Sequence, residues 1–217
     1  MTFSFDVILH NLPYLIGAAR WTLLISLTGI ALAIVLGTFI CAARIGPVRP
    51  LRQASALYIS AFRGVPLLVQ LLLFFYLLPS IGIDLPAILA AIFAVGMCSA
   101  AYVAEIQRSA LQSIPAGQTE AAEALGISPL ALWWRILIPQ ALRLGLPSLV
   151  NELILLVKVS SLASVVGIGE LTRVAQNITG QTYRPLEIYA TAALIYFVIN
   201  LILSQLGRLA ERRLDFG

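Results

Sequence analysis

The chain is short of charge. Of its 217 residues only 11% are Asp, Glu, Lys or Arg, against 60% that are hydrophobic. A soluble domain averages about a quarter charged residues. So sparse a set cannot solvate a globular surface of this size, whereas a surface facing lipid needs no such solvation. The membrane class is therefore set before any motif is read. Histidine occurs once, at His10, and cysteine twice, at Cys41 and Cys98, both within apolar runs. Neither a disulfide framework nor a His/Cys metal centre can be built from these. Lysine also occurs once, at Lys158, with Val157 before it. A P-loop needs GxxxxGK[ST], because glycine amides and the lysine hold the phosphates, so that nucleotide site is excluded. The opening MTFSFD has no Lys or Arg, and no cleaved signal peptide is expected.

Long apolar runs are what the chain has in quantity. A membrane helix needs about 20 mostly apolar residues. Residues 21–43, 64–83, 85–104 and 188–207 meet this without an acidic or basic side chain. A fifth run, 140–166, is interrupted by Arg143, Glu152 and Lys158 but is long enough to span. Pro79, Gly82 and Pro86 mark a tight turn between the second and third runs, which read as a hairpin across the bilayer. The first 19 residues read as an amphipathic lead-in at the surface, and 105–139 and 167–186 as long connections. The expectation is an all-α membrane protein, a single domain over 1–217. Its spans fall near 20–43, 54–78, 86–111, 138–160 and 187–208.

The net charge of +4 comes from thirteen Arg and the one Lys. Nucleic acid is not the expected partner, since basic residues anchor spans on the cytoplasmic side of a bilayer. With five spans, Arg44, Arg49, Arg52, Arg108, Arg135, Arg143, Arg208, Arg212 and Arg213 fall on one side, and Arg20, Arg173 and Arg184 on the other. The positive-inside rule then puts the N-terminus outside and the C-terminus in the cytoplasm. Four spans would divide the arginines between the sides.

The stretch SIPAGQTEAAEALGISPLALWWRILIPQAL, residues 113–142, is too polar at its start to cross lipid. Ser113 and Pro115 suit a helix start and Gly126 a helix end. Ser128 before Pro129 reads as an N-cap with proline at the first helical position. Pro139 is expected to stop or kink that second helix, so the cytoplasmic loop, about 112–139, reads as two short helices around a glycine. By physics alone it is either a docking knob or a structured surface loop.

Glu120-Ala121-Ala122, then Gly126, then Ile136 and Pro139, resembles the EAA signature of binding-protein-dependent ABC importer permeases, with Ile138 where leucine is usual. AFRGVPLLVQLLLFFYLLP (61–79), AYVAEIQRSALQSIPAGQTEAA (101–122), KVSSLASVVGIGEL (158–171) and TYRPLEIY (182–189) are similar to the polar amino acid permeases of that group. The resemblance implies a bundle of about five spans and two permease subunits, identical or paralogous, lining one pathway. Two cytoplasmic ATPase subunits would bind the EAA loops, and an extracytoplasmic binding protein would deliver an amino acid. Glu120, Ala121, Ala122, Gly126 and Pro139 would then couple to the ATPase. No catalytic residue, cofactor or metal is expected on this chain, and with no P-loop the energy source lies on a partner.

A zwitterionic solute needs polar groups where it crosses. Candidates interrupt the apolar spans: Arg63; Ser99 and Tyr102; and Glu152, Lys158, Ser160 and Ser161. Glu152 and Lys158 are six positions apart, on different helix faces, and are not expected to pair. These charges either serve the solute or neutralise one another and hold helices together. A secondary transporter driven by an ion gradient is the alternative, but histidine is absent from the spans and Glu152 is the one deep carboxylate. An intramembrane enzyme would need converging catalytic groups, and Asp6, Asp84, Asp215 and His10 are scattered. A channel subunit would need no nucleotide at all.

Overall fold

The computed structural model describes residues 3–214 and is all-helical throughout them; Asp215 lies outside the described residues. Nine α-helices run in order: α1 (Phe5–Ile45), α2 (Arg49–Gly64), α3 (Leu67–Ser80), α4 (Ala87–Gln112), α5 (Ala116–Ala124), α6 (Pro129–Leu132), α7 (Ile138–Val159), α8 (Leu171–Thr182) and α9 (Pro185–Leu214). A π turn, Trp133–Leu137, joins α6 to α7, and a 3-10 segment, Ser160–Val166, follows α7. Four helical stretches are long and apolar enough to cross a membrane, and α2 with α3 makes a fifth if that bent pair is one span.

The most extensive pairing is α1 against α4. It rests on small residues, as expected where packing rather than hydrophobicity drives association in lipid. Ala33, Ala91, Ala94, Ala100 and Val103 are buried there. Glycine lets the backbones close up: a Cβ on Gly37 would lie 2.8 Å from Val103 Cγ1 and 3.0 Å from the carbonyl oxygen of Ala100.

Three sequence expectations are corrected. The lead-in is no separate surface segment but the first four turns of α1, which runs 41 residues. It stays helical because Leu15 is buried with Leu171, Ala175, Ile178 and Ile188 of α8 and α9. The connection 167–186 contains α8, capped at its start by Glu170. The second span is broken. α2 and α3 meet at 103°, with Val65 and Pro66 between them. Proline disfavours the α conformation at the preceding residue, and Val65 is extended, at φ −104° and ψ 133°. The carbonyls this frees are taken up by buried Gln70, whose Nε2 donates to Phe62 O at 2.8 Å and Val65 O at 2.7 Å. The turn after α3 and the single-span reading of the run 140–166 both stand, although that helical stretch reaches from Pro129 to Val166.

Candidate functional site

Two of the sequence candidates meet on one turn of α4 and two more on the next. Ser99 Oγ donates to Glu152 Oε1 at 2.7 Å, joining α4 to α7, and both residues are buried. Three positions on, Tyr102 lies under the guanidinium of Arg63, 5.1 Å from ring centroid to Cζ. Residues three apart on a helix are neighbours on one face, about 5–6 Å between Cβ atoms. The Glu152 carboxylate and the Arg63 guanidinium are thus each supported by α4, on successive turns. Arg63 reaches the ridge from the C-terminal end of α2, at the helix break. Below it, Arg108 and Glu105 pair at 2.7 Å. Arg63, Tyr102, Glu105, Ser109, Ser113 and Ser148 line a cavity of about 400 Å³.

The remaining candidates of the fourth span do not join this group. Lys158 is exposed and Glu152 buried, on different faces of α7, and no cation lies within ion-pair distance of Glu152 among the described residues. Ser160 donates to Val157 O at 2.9 Å and Ser161 to Lys158 O at 2.7 Å, so both hydroxyls are spent on their own helix.

The EAA segment is a helix, α5, followed by a tight reversal. Ile127 N donates to Ala122 O at 2.9 Å and Gly126 N to Glu123 O at 3.0 Å, the paired bonds of a Schellman cap. This cap needs a left-handed residue, and Gly126 has φ +69°. Glu120 and Ala121 are exposed while Ala122 is buried. Ser128 caps the next helix, its side chain accepting from Ala131 N at 3.3 Å. That helix is not a short, free one. It is the first turn of the Pro129–Val166 span, entered through the π turn. Pro139 neither stops nor breaks it, because it occupies the start of α7, where a missing N–H costs little. Ile138 N donates to Trp133 O, five residues back, which is how the turn absorbs the proline.

Sequence reasoning missed a buried cluster on the other side of the bundle. Glu170 is fully buried and accepts from Arg173 N at 2.7 Å, Thr172 N at 2.9 Å and Tyr196 Oη at 3.0 Å. Burial pushes its carboxyl above the ordinary range, partly opposed by those donors. The cluster ties α8 to α9, and Thr22 Oγ1, accepting from Leu171 N at 3.3 Å, ties it to α1. Only the acid before an amphipathic stretch signalled it. The Glu105–Arg108 pair was legible as an i,i+3 spacing in AEIQRS but was not singled out.

A multi-pass helical bundle with ionisable groups on an interior ridge, and a lightly held helix outside its spans, is the anatomy of a membrane transport subunit. Residues 29–216 match the family described as binding-protein-dependent transport system inner membrane component, and the chain belongs to that family. It is 39% identical over 211 residues to the probable amino-acid ABC transporter permease protein YckA of Bacillus subtilis (strain 168), covering 97% of this chain and 93% of that protein. It is 38% identical to the L-cystine transport system permease protein TcyB of the same organism, covering 94% of this chain and 87% of that protein. A solved structure described as an amino acid ABC transporter with histidines superposes with a TM-score of 0.92 at 38% identity, covering 98% of this chain and all of that one. The chain is thus a multi-pass inner-membrane permease component rather than an enzyme, and membership implies ATPase and binding-protein partners.

Proposed function

We propose that this permease carries polar α-amino acids, and that the ridge of α4 is where they cross. The observation that carries the reading is the pairing of Ser99 with Glu152 and of Tyr102 with Arg63, three residues apart on α4. Three residues of helix rise about 4.5 Å. A carboxylate and a guanidinium on adjacent turns complement the ammonium and carboxylate of a zwitterion. Ionisable groups inside a membrane are costly and belong on solute pathways or in pairs, and Glu152 has no ion-pair partner among the described residues.

The assembly we propose has a second permease subunit, identical or paralogous, two ATPase subunits, and an extracytoplasmic amino-acid-binding protein. The whole chain, 1–217, forms one transmembrane domain, with the loop at about 112–139 on the ATPases through Glu120, Ala121, Ala122, Gly126 and Pro139. The N-terminus is outside and the C-terminus cytoplasmic. In support, one cavity is lined by Ile45 at the end of α1, Leu111 near the end of α4, and Trp133 and Ile138 at the start of the fourth span. The segments bearing Arg44, Arg108 and Arg135 therefore gather at one end of the bundle.

The test is uptake into proteoliposomes holding the complete transporter and its binding protein, with a panel of labelled amino acids. Glu152→Gln is expected to change rate or selectivity between cationic and neutral amino acids, with assembly and binding-protein affinity kept. An unchanged profile removes Glu152 from the pathway; loss of folded protein assigns it to helix packing instead.

A further inference from the structure

α5 packs only slightly against any other element among the described residues. It is held at its ends by the chain and along its length by buried Ala122 and one side-chain hydrogen-bonded link. Gln118 Nε2 donates to Gln140 Oε1 at 2.9 Å, and Gln140 Nε2 donates back to Gln118 Oε1 at 2.6 Å. The same Gln140 nitrogen donates to Ile136 O at 2.8 Å, inside the π turn. Both glutamines are half-buried. One amide thus grips α5, the other grips the base of the fourth span, and the second is itself fastened to the irregular turn that leads into it.

We propose that Gln118 and Gln140 form the transmission clamp between α5 and the membrane span, so that a displacement of α5 turns α7 rather than being lost in the loop. The proposal rests on reading the chain as an ATP-driven permease. The covalent route from α5 to the span is a poor lever. It passes through Gly126, at φ +69° with open space around its α carbon, then a four-residue helix anchored only by buried Leu132, and the π turn. Torsion applied at α5 would be absorbed at that glycine and in the π turn, where helical register is easily altered. The reciprocal amide pair bypasses this route. It crosses 22 residues of sequence in two hydrogen bonds and joins the first turn of α7, beyond the π turn. Two bonds between planar amides also fix orientation, which one bond does not. The residues are positioning residues: neither is expected to touch nucleotide or solute.

The experiment uses the complete transporter in proteoliposomes, measuring ATP hydrolysis and uptake together. Gln118→Ala and Gln140→Ala are expected to keep ATP hydrolysis stimulated by loaded binding protein. Uptake per ATP should fall about tenfold, on the scale of two neutral hydrogen bonds lost. The double variant Gln118→Glu with Gln140→Arg, which restores a two-point link as an ion pair, should recover most of it. Wild-type uptake per ATP in both alanine variants overturns the proposal. If an alanine variant fails to assemble, Gln118→Cys with Gln140→Cys decides, joined by a short bifunctional thiol reagent after Cys41 and Cys98 are replaced by serine. Uptake that persists when the pair is joined supports a clamp that moves as a unit. Uptake abolished by joining and restored on reversal means the two residues must part, which overturns it. A wild-type complex with no ATP-dependent uptake would instead sink the functional reading itself.

Discussion

The α1–α4 interface and the α5 segment are built on opposite principles. At the interface, Gly29, Gly37 and Gly96 bring backbones so close that an added methyl would press on a neighbour. Around α5, a methyl added at Gly117 or Gly126 would meet nothing within 4 Å. The first region has one arrangement and resists any other. The second is held by a glycine cap, one buried alanine and a pair of amides. A transporter powered from outside the membrane needs both: a rigid bundle to carry a displacement across the bilayer, and a handle loose enough to be taken by a partner.

The contrast can be broken at four points. The largest effect is expected for Gly37→Val. The added atoms meet the Ala100 carbonyl as well as Val103, and backbone cannot swing aside. Overpacking of this kind costs about 1–3 kcal/mol or more, and we expect little monodisperse protein on size exclusion in detergent. Gln70→Leu comes next. It leaves the carbonyls of Phe62 and Val65 without their donor at the α2–α3 bend, a loss of about 1–3 kcal/mol, to be read as a lower melting temperature in detergent. Gly126→Asp should affect stability less, since nothing crowds the site and aspartate tolerates the left-handed region better than most residues. The protein is expected to insert normally while ATP hydrolysis is uncoupled from uptake; normal coupling would remove Gly126 from the ATPase contact. Ser161→Ala should do nearly nothing to uptake or melting, because its hydroxyl bonds its own helix. A clear uptake defect there would put Ser161 back on the solute pathway.

The spans were legible because hydropathy reports on lipid exposure residue by residue, and the long apolar runs needed no tertiary information. The cap residues were legible too, for Ser128-Pro129 and Gly126 act through their own backbone. What escaped depended on partners distant in sequence. The helix in the first 19 residues persists because Leu15 meets α8 and α9, and α8 was hidden in a connection whose polarity reads as loop. The bend at Val65 was signalled by Pro66, yet the apolar run continued through it and hid the break. Among site residues, Glu152 and Arg63 were visible as charges inside spans. Their common support on Ser99 and Tyr102 was not, since it needs α2, α4 and α7 in register. Ser160 and Ser161 looked equal to Ser99 in sequence, and only the geometry separates a hydroxyl facing another helix from one folded back on its own.

The bend between α2 and α3 has a consequence for how the protein is made. α2 has 16 residues and α3 has 14, each shorter than the roughly 20 needed to cross. Neither can be stitched into the bilayer alone as a stable span. α3 has to enter paired with α4, through the six-residue turn that joins them, and α2 has to fold against α1 and α4 once these are in place. The carbonyls at the bend stay solvated, or cost several kcal/mol each in hydrocarbon, until Gln70 swings in beneath them, its amide also within reach of the Cys98 sulfur on α4 at 3.6 Å. If the bent pair is one span, insertion is expected to run out of chain order, with that span completed only after α4 has been synthesised. A nascent chain truncated before α4 is expected to show one secure crossing, α1, in protease mapping.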